Sequence, residues 1–184
     1  MSTQLLETFP FIDYIVRSEG EHAFGELIEH LQGKRKASDI LSLTWRDGSK
    51  VVENPARAME DDLDLLPIPA FDAYEMSAGA PLYLDVGRGC PFKCTFCVDP
   101  SLGYRIKWRA RSAELVVQEM KNLVEQYGIK FFWFSEDNFI PPSKRGRRRA
   151  SDFSSRFSIV ATHSRSSLAL SRAGIITTTR SSSR

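Results

Sequence analysis

The three cysteines of this chain form one compact cluster, and they are the residues best suited to chemistry. Cys90, Cys94 and Cys97 follow the spacing Cys-x3-Cys-x2-Cys, so one short loop can direct three sulfurs to one point. Thiolates are soft ligands that suit zinc or an iron–sulfur cluster. Three thiolates supply one ligand fewer than a closed four-coordinate structural site needs. A metal or cluster bound here would therefore keep one position open to a ligand that is not protein.

Other uses of these cysteines are less consistent with the sequence. A zinc site could take a histidine as its fourth ligand, but His22, His30 and His163 are distant and have no finger-like spacing. A disulfide framework needs an even number of cysteines in a secreted chain. The N-terminal residues also lack a basic region followed by an apolar core, as a signal peptide would have. The sequence favours an iron–sulfur cluster in a reducing cytoplasm.

The elements around the cysteines predict a β–α–β unit. Residues 81–86 have strand composition and lead into the glycines of Gly87-Arg88-Gly89. A helix is predicted from an N-cap at Ser112 to a stop at Gly128, with one apolar face, and a buried strand over 130–135. Such a unit joins two parallel strands by a right-handed crossover, and active-site loops leave the C-terminal ends of such strands.

The sequence before this unit predicts a small α/β element and a connector. Residues 11–16 have the composition of a short strand, and apolar residues over 23–31 recur at helical spacing up to Gly33. Residues 39–52 predict a hairpin with its turn at Asp47-Gly48. Residues 61–71 are acidic and interrupted by prolines, which predicts an extended linker.

Charge divides the chain into an acidic body and a basic tail. Nine arginines, one lysine and one aspartate give residues 141–184 a formal charge of +9, so residues 1–140 carry −7 of the total of +2. This tail also holds twelve serines and loses apolar periodicity, which predicts disorder. Its arginines could bind nucleic acid through phosphate charge, although no other feature indicates that partner. No run of about 18 apolar residues predicts a membrane span.

The cysteine loop resembles the signature of the radical S-adenosylmethionine (radical SAM) enzymes. Their pattern is Cys-x3-Cys-x-aromatic-Cys, in which Phe96 supplies the aromatic residue and residues 87–89 precede the first cysteine. The resemblance implies that Cys90, Cys94 and Cys97 hold a four-iron four-sulfur cluster whose open iron chelates S-adenosylmethionine. One-electron reduction would then release a 5′-deoxyadenosyl radical. It also implies that Phe96 lies near the adenine and that Glu136 and Asp137 bind the amino group of S-adenosylmethionine.

Segments outside the cysteine loop resemble the cobalamin-binding branch of that family. They are the segments 13–21, 43–48, 54–55 and 62–71. Ser18 stands where the branch more often has glycine. The resemblance implies the C-terminal end of a Rossmann-like cobalamin-binding domain followed by the start of a partial (βα) TIM-type barrel. The Asp-x-His-x-x-Gly motif that ligates cobalt is absent from the chain. The resemblance therefore leaves cobalamin a possible cofactor of the full-length family, and no residue of this chain is expected to ligate it.

These observations predict a fragment with four parts. We expect a remnant of the cobalamin-binding domain over 1–60, a linker over 61–80, the start of the radical SAM core over 81–140, and a disordered or out-of-frame tail over 141–184. The expected reaction is a methyl transfer or rearrangement on an unknown small molecule, with electrons from a donor such as a flavodoxin or ferredoxin. No catalytic residue is assigned.

Alternative functions share the same cysteine motif. A methylthiotransferase-like radical SAM enzyme has the same signature, although segments 13–21 and 62–69 argue against it. A non-catalytic iron–sulfur module is a second alternative, since two barrel strands enclose a radical poorly.

The basic, aromatic loop 101–111 is either surface cover or a lid that offers cations to S-adenosylmethionine or the substrate.

Overall fold

The computed structural model of the chain consists of two compact units, Met1–Glu60 and Asp61–Arg184. Side chains are described as far as Arg156. The described residues are 1–75, 81–92, 94–96, 107–129, 131–136, 139, 143–163, 166–170 and 175–180. Within these ranges, no helix combines the length and the apolar character that crossing a membrane would require.

The first unit is a three-stranded antiparallel sheet with two helices. Its strands are β1 (Tyr14–Val16), β2 (Leu43–Asp47) and β3 (Lys50–Glu53), in the order β1-β2-β3. The helices are α1 (Ser2–Thr8) and α2 (Glu21–Leu31). The predicted hairpin is confirmed, because Asp47 pairs with Lys50 and Gly48 has a positive φ of 57° in the turn between them. The sequence did not predict α1, which is only two turns long.

Two polar features of this unit involve residues of the segments that resemble the predicted branch. The buried side chain of Asn54 donates hydrogen bonds to the carbonyl oxygens of Ala37 (2.7 Å) and Ile40 (2.8 Å). Its amide oxygen accepts one from Trp45 Nε1 at 3.2 Å. Ser18 has a φ of 61°, in the left-handed region that glycine adopts without strain. That conformation gives a physical reason for glycine at this position in the branch.

The second unit contains a mixed four-stranded sheet. Its strands are β4 (Leu82–Leu84), β7 (Phe131–Phe134), β9 (Ile175–Arg180) and β8 (Ser166–Leu170), in that order. β4 and β7 are parallel, with Tyr83 opposite Trp133, as the β–α–β pattern predicts. β9 runs antiparallel to β7, so the described strands do not close into a barrel. A separate two-stranded ladder pairs β5 (Gly87–Arg88) with β6 (Arg109–Ala110).

Helix α3 (Ala113–Tyr127) is the crossover between β4 and β7, and both predicted ends are confirmed. Ser112 caps the N-terminus, where its hydroxyl accepts a hydrogen bond from the Leu115 backbone N–H at 3.3 Å. Gly128 ends the helix with a φ of 65°, a conformation that disfavours residues with a Cβ. Val116, Met120 and Leu123 of its apolar face are buried against Phe132 in the core of this unit.

The structure corrects two expectations for this unit. Residues 61–71 are not simply extended, because Leu63–Leu65 forms a 3-10 turn with Leu63 buried. A disordered tail is wrong for its first part, since Lys144–His163 forms helix α4. Phe153 of this helix is 1% exposed and belongs to the core of the unit. Buried contacts offset the low average hydrophobicity on which the expectation of disorder rests. An out-of-frame origin of residues 141–184 stays a prediction.

Candidate active site

The cysteine loop begins at the C-terminal end of strand β4, as predicted. Val86 is buried, Gly87–Arg88 forms β5, and Gly89 has a positive φ of 81° immediately before Cys90. Cys90 is half-buried and Cys94 is exposed, and neither forms a disulfide. Cys97, the third predicted ligand, lies outside the described residues. The structure therefore places two of the three predicted thiols on one loop.

Gly87, at the beginning of the loop, lies close to the residue that follows the neighbouring strand. A Cβ atom on Gly87 would overlap Oε2 of Glu136 and would lie 3.1 Å from the carbonyl oxygen of Arg109. A Cβ atom here would force the buried Glu136 carboxylate to move, so the position favours glycine for close approach. The contact joins the beginning of the cysteine loop to the end of β7.

Glu136 follows β7, and its side chain is 1% exposed. Its carboxylate oxygen Oε1 lies 3.4 Å from Nη1 of Arg149, which is itself buried. A buried carboxylate is stable only when a cation or hydrogen bonds replace its hydration. Glu136 thus faces the interior of the unit at the strand end. Asp137, the other residue predicted there, lies outside the described residues.

Arg149 of α4 connects several parts of the site, and the sequence did not predict it. Its guanidinium donates to the carbonyl oxygens of Val86 at 2.7 Å and Arg111 at 3.0 Å. The same group lies 4.9 Å from the ring centre of Phe139 and 5.9 Å from that of Trp108. Burial lowers the pKa of Arg149, whereas the negative charge of Glu136 acts to raise it. An arginine stays protonated under these conditions, so the pair remains ionic.

The spacing of residues around Arg149 could have predicted its burial, although the average composition of the segment does not indicate it. Gly146, Arg149 and Phe153 are buried positions of α4 and follow the i, i+3, i+7 spacing of one helical face. Ala150, on the same side, is half-buried. The surrounding arginines and serines lower the average hydrophobicity of the segment, so the average does not reveal this short buried face.

The basic loop before α3 is more buried than expected. Trp108, Arg109 and Arg111 are at most 9% exposed, so surface cover is wrong for these three residues. Arg111 Nη1 lies 2.5 Å from Oε2 of Glu119, another buried carboxylate. Arg111 therefore neutralises an acidic group within the fold. Residues 101–106 of this loop lie outside the described residues.

Phe96 lies on the outside of the cysteine loop. Its side chain is 89% exposed, so it is not part of an apolar core in this structure. Phe96 is two residues after Cys94 in the sequence, and its ring is an exposed apolar surface. The predicted position beside the adenine stays a prediction.

The arrangement fits a soft metal centre as far as the structure describes it. Two cysteines without a disulfide lie on a loop that begins at Gly87, which packs against the adjacent strand end. Among the described residues, no group of three cysteine, histidine or carboxylate side chains could hold a metal ion. Cys97, the third donor of the predicted centre, is not among the residues searched.

Comparison with known proteins identifies the family. The model of the radical SAM superfamily matches residues 84–161, which include the cysteine loop, α3, β7 and most of α4. The chain belongs to the radical SAM superfamily. This match reaches beyond residue 139, where the sequence resemblance was expected to end.

Two curated relatives of this radical SAM chain have named activities. It is 38% identical over 141 residues to an uncharacterized methyltransferase of Pyrococcus horikoshii. The aligned residues make up 74% of the chain and 30% of the relative. It is 30% identical over 146 residues to an anaerobic magnesium-protoporphyrin IX monomethyl ester cyclase of Cereibacter sphaeroides. This alignment covers 74% of the chain and 24% of the relative. The chain spans less than a third of the length of these relatives.

A solved structure confirms the predicted fold class. The chain superposes on the cobalamin-dependent S-adenosylmethionine radical enzyme OxsB with a TM-score of 0.68 and 24% identity. The superposition covers 86% of the chain and 22% of that enzyme. The fold of the radical SAM chain is therefore that of part of a cobalamin-dependent radical SAM enzyme.

Proposed function

We propose that this chain provides the first part of a radical SAM core, in which Cys90, Cys94 and Cys97 hold a four-iron four-sulfur cluster. One observation supports this proposal above the others. Free thiols of a Cys-x3-Cys-x2-Cys loop lie at the C-terminal end of a strand in a parallel β–α–β unit. When bound, the cluster would supply the electron that cleaves S-adenosylmethionine to methionine and a 5′-deoxyadenosyl radical.

In this proposal the residues of the chain bind the cluster and orient S-adenosylmethionine. The three thiolates are the ligands. Gly87 allows close approach to Glu136, and Gly89 adopts the positive φ of the turn before Cys90. The exposed ring of Phe96 offers a stacking surface to the adenine. Glu136 already faces Arg149 and Gly87, so we assign direct contact with the amino group of S-adenosylmethionine to Asp137 and a supporting position to Glu136.

Methyl transfer is the reaction that we propose for the whole protein. The relative from Pyrococcus horikoshii is named a methyltransferase, and OxsB has the matching fold and is cobalamin-dependent. No Asp-x-His-x-x-Gly motif occurs in this chain, so we assign no cobalt ligand to its residues. The protein partner is a one-electron donor such as a flavodoxin or ferredoxin, and the clustered cysteines of the sequence favour a cytoplasmic setting.

Anaerobic reconstitution with iron and sulfide tests the ligand assignment. The wild-type chain is expected to bind about four iron and four sulfide per molecule, the composition of the proposed cluster. Cys94→Ala should lose the cluster because it removes one of the three thiolate ligands. The side chain is exposed, so the substitution should affect folding little. Phe92→Leu changes an exposed residue of the same loop and should retain it. Equal iron in Cys94→Ala and wild type, or tight zinc in a saturated shell, would contradict the proposal.

A further inference from the structure

We propose that Arg149 is a positioning residue for the cysteine loop, a function that rests on the proposed cluster site. It joins three segments of the second unit through one side chain. Its guanidinium contacts the carbonyl oxygen before Gly87, the carbonyl oxygen before Ser112, and the carboxylate that follows β7. These segments are far apart in sequence, so the side chain fixes their mutual distances.

The link to the cysteines is short. Val86, whose carbonyl oxygen accepts the 2.7 Å hydrogen bond from Arg149, is four residues before Cys90. The intervening Gly87 and Arg88 are held by the ladder to β6 on one side, and Gly87 packs against Glu136 on the other. A shift of Glu136 or of the Val86 carbonyl would therefore move the beginning of the loop. Cys90 would move with it, whereas the exposed Cys94 is further along the loop.

An arginine suits this position for geometric reasons. The planar guanidinium carries five N–H donors in a fixed fork, so it can serve three separate acceptors at once. Its flat faces also pack on the rings of Phe139 and Trp108. A lysine ammonium could neutralise Glu136, but it cannot reach three acceptors in one plane. Lysine should therefore restore the charge and only part of the geometry.

Alkylation of the cysteines in the metal-free full-length chain tests this inference without the cluster. The rate of modification by iodoacetamide is measured separately for Cys90 and Cys94 by peptide mass spectrometry. In Arg149→Gln we expect several-fold faster modification of the half-buried Cys90 and an unchanged rate at the exposed Cys94. Arg148→Gln alters an exposed arginine of the same helix and should leave both rates unchanged.

Cluster assembly provides the second measurement. Iron and sulfide should bind about tenfold more weakly to Arg149→Gln, as is typical when the support of metal ligands is removed. Values are compared per folded molecule, with circular dichroism as the measure of folding. Arg149→Lys should recover part of the loss. If Arg149→Gln does not fold, Glu136→Gln, which removes the same ion pair from the other side, takes its place.

The outcomes separate this inference from the proposed function. Wild-type alkylation rates and wild-type cluster binding in folded Arg149→Gln would overturn it and leave Arg149 a structural residue. Loss of thermal stability alone, with both measurements unchanged, would overturn it equally. If the wild-type chain assembles no cluster, the proposed function fails, whereas the change in Cys90 reactivity would still support the effect of Arg149 on the loop.

Discussion

Gly87 and Glu136 lie in direct contact, although 49 positions separate them in the sequence. The α-carbon of the glycine faces the buried carboxylate so closely that a Cβ atom would overlap its Oε2. The contact joins the ends of the parallel strands β4 and β7, and the cysteine loop starts from it. The loop is thus placed by the strand ends and not by its own residues alone.

Gly87→Ala is expected to destabilise the second unit by about 1–3 kcal/mol, the usual cost of overpacking. Relief requires movement of the Glu136 side chain and a smaller adjustment of the Arg109 backbone, and both residues are buried. Gly25→Ala is the control, because a Cβ atom there meets nothing within 4 Å inside a helix. That change should stabilise the first unit by about 0.5–1 kcal/mol. Hydrogen exchange during urea titration reports each unit separately, and equal effects of the two substitutions would contradict the expected packing.

Phe153→Ala is expected to destabilise the second unit by about 3–5 kcal/mol. Phe153 is 1% exposed and packs edge-to-face on Phe134 at 5.7 Å and on Phe139 at 5.4 Å between ring centres. Arg147→Ala, at an exposed position of the same helix, should change stability little. Urea unfolding followed by tryptophan fluorescence measures both. Loss of stability below about 0.5 kcal/mol in Phe153→Ala would instead support a disordered segment.

Asn54→Ala is expected to cost about 2 kcal/mol or more in the first unit, because the carbonyl oxygens of Ala37 and Ile40 would lose their buried donor. Asn54→Asp should be at least as harmful, since an ionised carboxylate accepts hydrogen bonds and cannot donate to these carbonyls. Lys50→Ala, on the exposed hairpin, is the control. A denaturation midpoint equal to that of the wild type in both Asn54 variants would show that this network does not stabilise the unit.

The carboxyl group of Asp61 is expected to titrate below its ordinary pKa of 3.8. The cause is a hydrogen bond and charge attraction from Lys107, whose Nζ lies 2.8 Å from Asp61 Oδ1. Because the folded pKa is the lower one, the contribution to stability is present above pH 3.8 and is lost as the pH falls through the folded value. Lys107→Gln should raise the pKa of Asp61 in an NMR titration, and Lys50→Gln should leave it unchanged. The same pKa in Lys107→Gln and wild type would exclude this pair as the cause.

Local signals in the sequence predicted much of the site. The Ser112 cap, the stop at Gly128 and the parallel pairing of the flanking strands depend on neighbouring residues and on the handedness of the crossover. The position of the cysteine loop follows from these elements. The family resemblance added the chemistry of the cysteines, and the match to the radical SAM model confirms the family.

Long-range contacts of charged residues could not be predicted in the same way. Arg111 and Arg149 are buried although arginine is normally exposed, and both depend on acceptors that folding brings near. The burial of Phe153 depends equally on rings from β7 and the segment after it. The average composition of residues 141–184 is dominated by arginine and serine, so it predicted disorder. It could not show that the buried positions of α4 lie on one helical face.

The electron paramagnetic resonance spectrum of the reconstituted, reduced chain tests the central claim most directly. A cluster held by Cys90, Cys94 and Cys97 has one iron without a protein ligand, so adding S-adenosylmethionine should change its g values. The same addition to Cys94→Ala should produce no cluster signal. A wild-type spectrum that is identical with and without S-adenosylmethionine would contradict the claim.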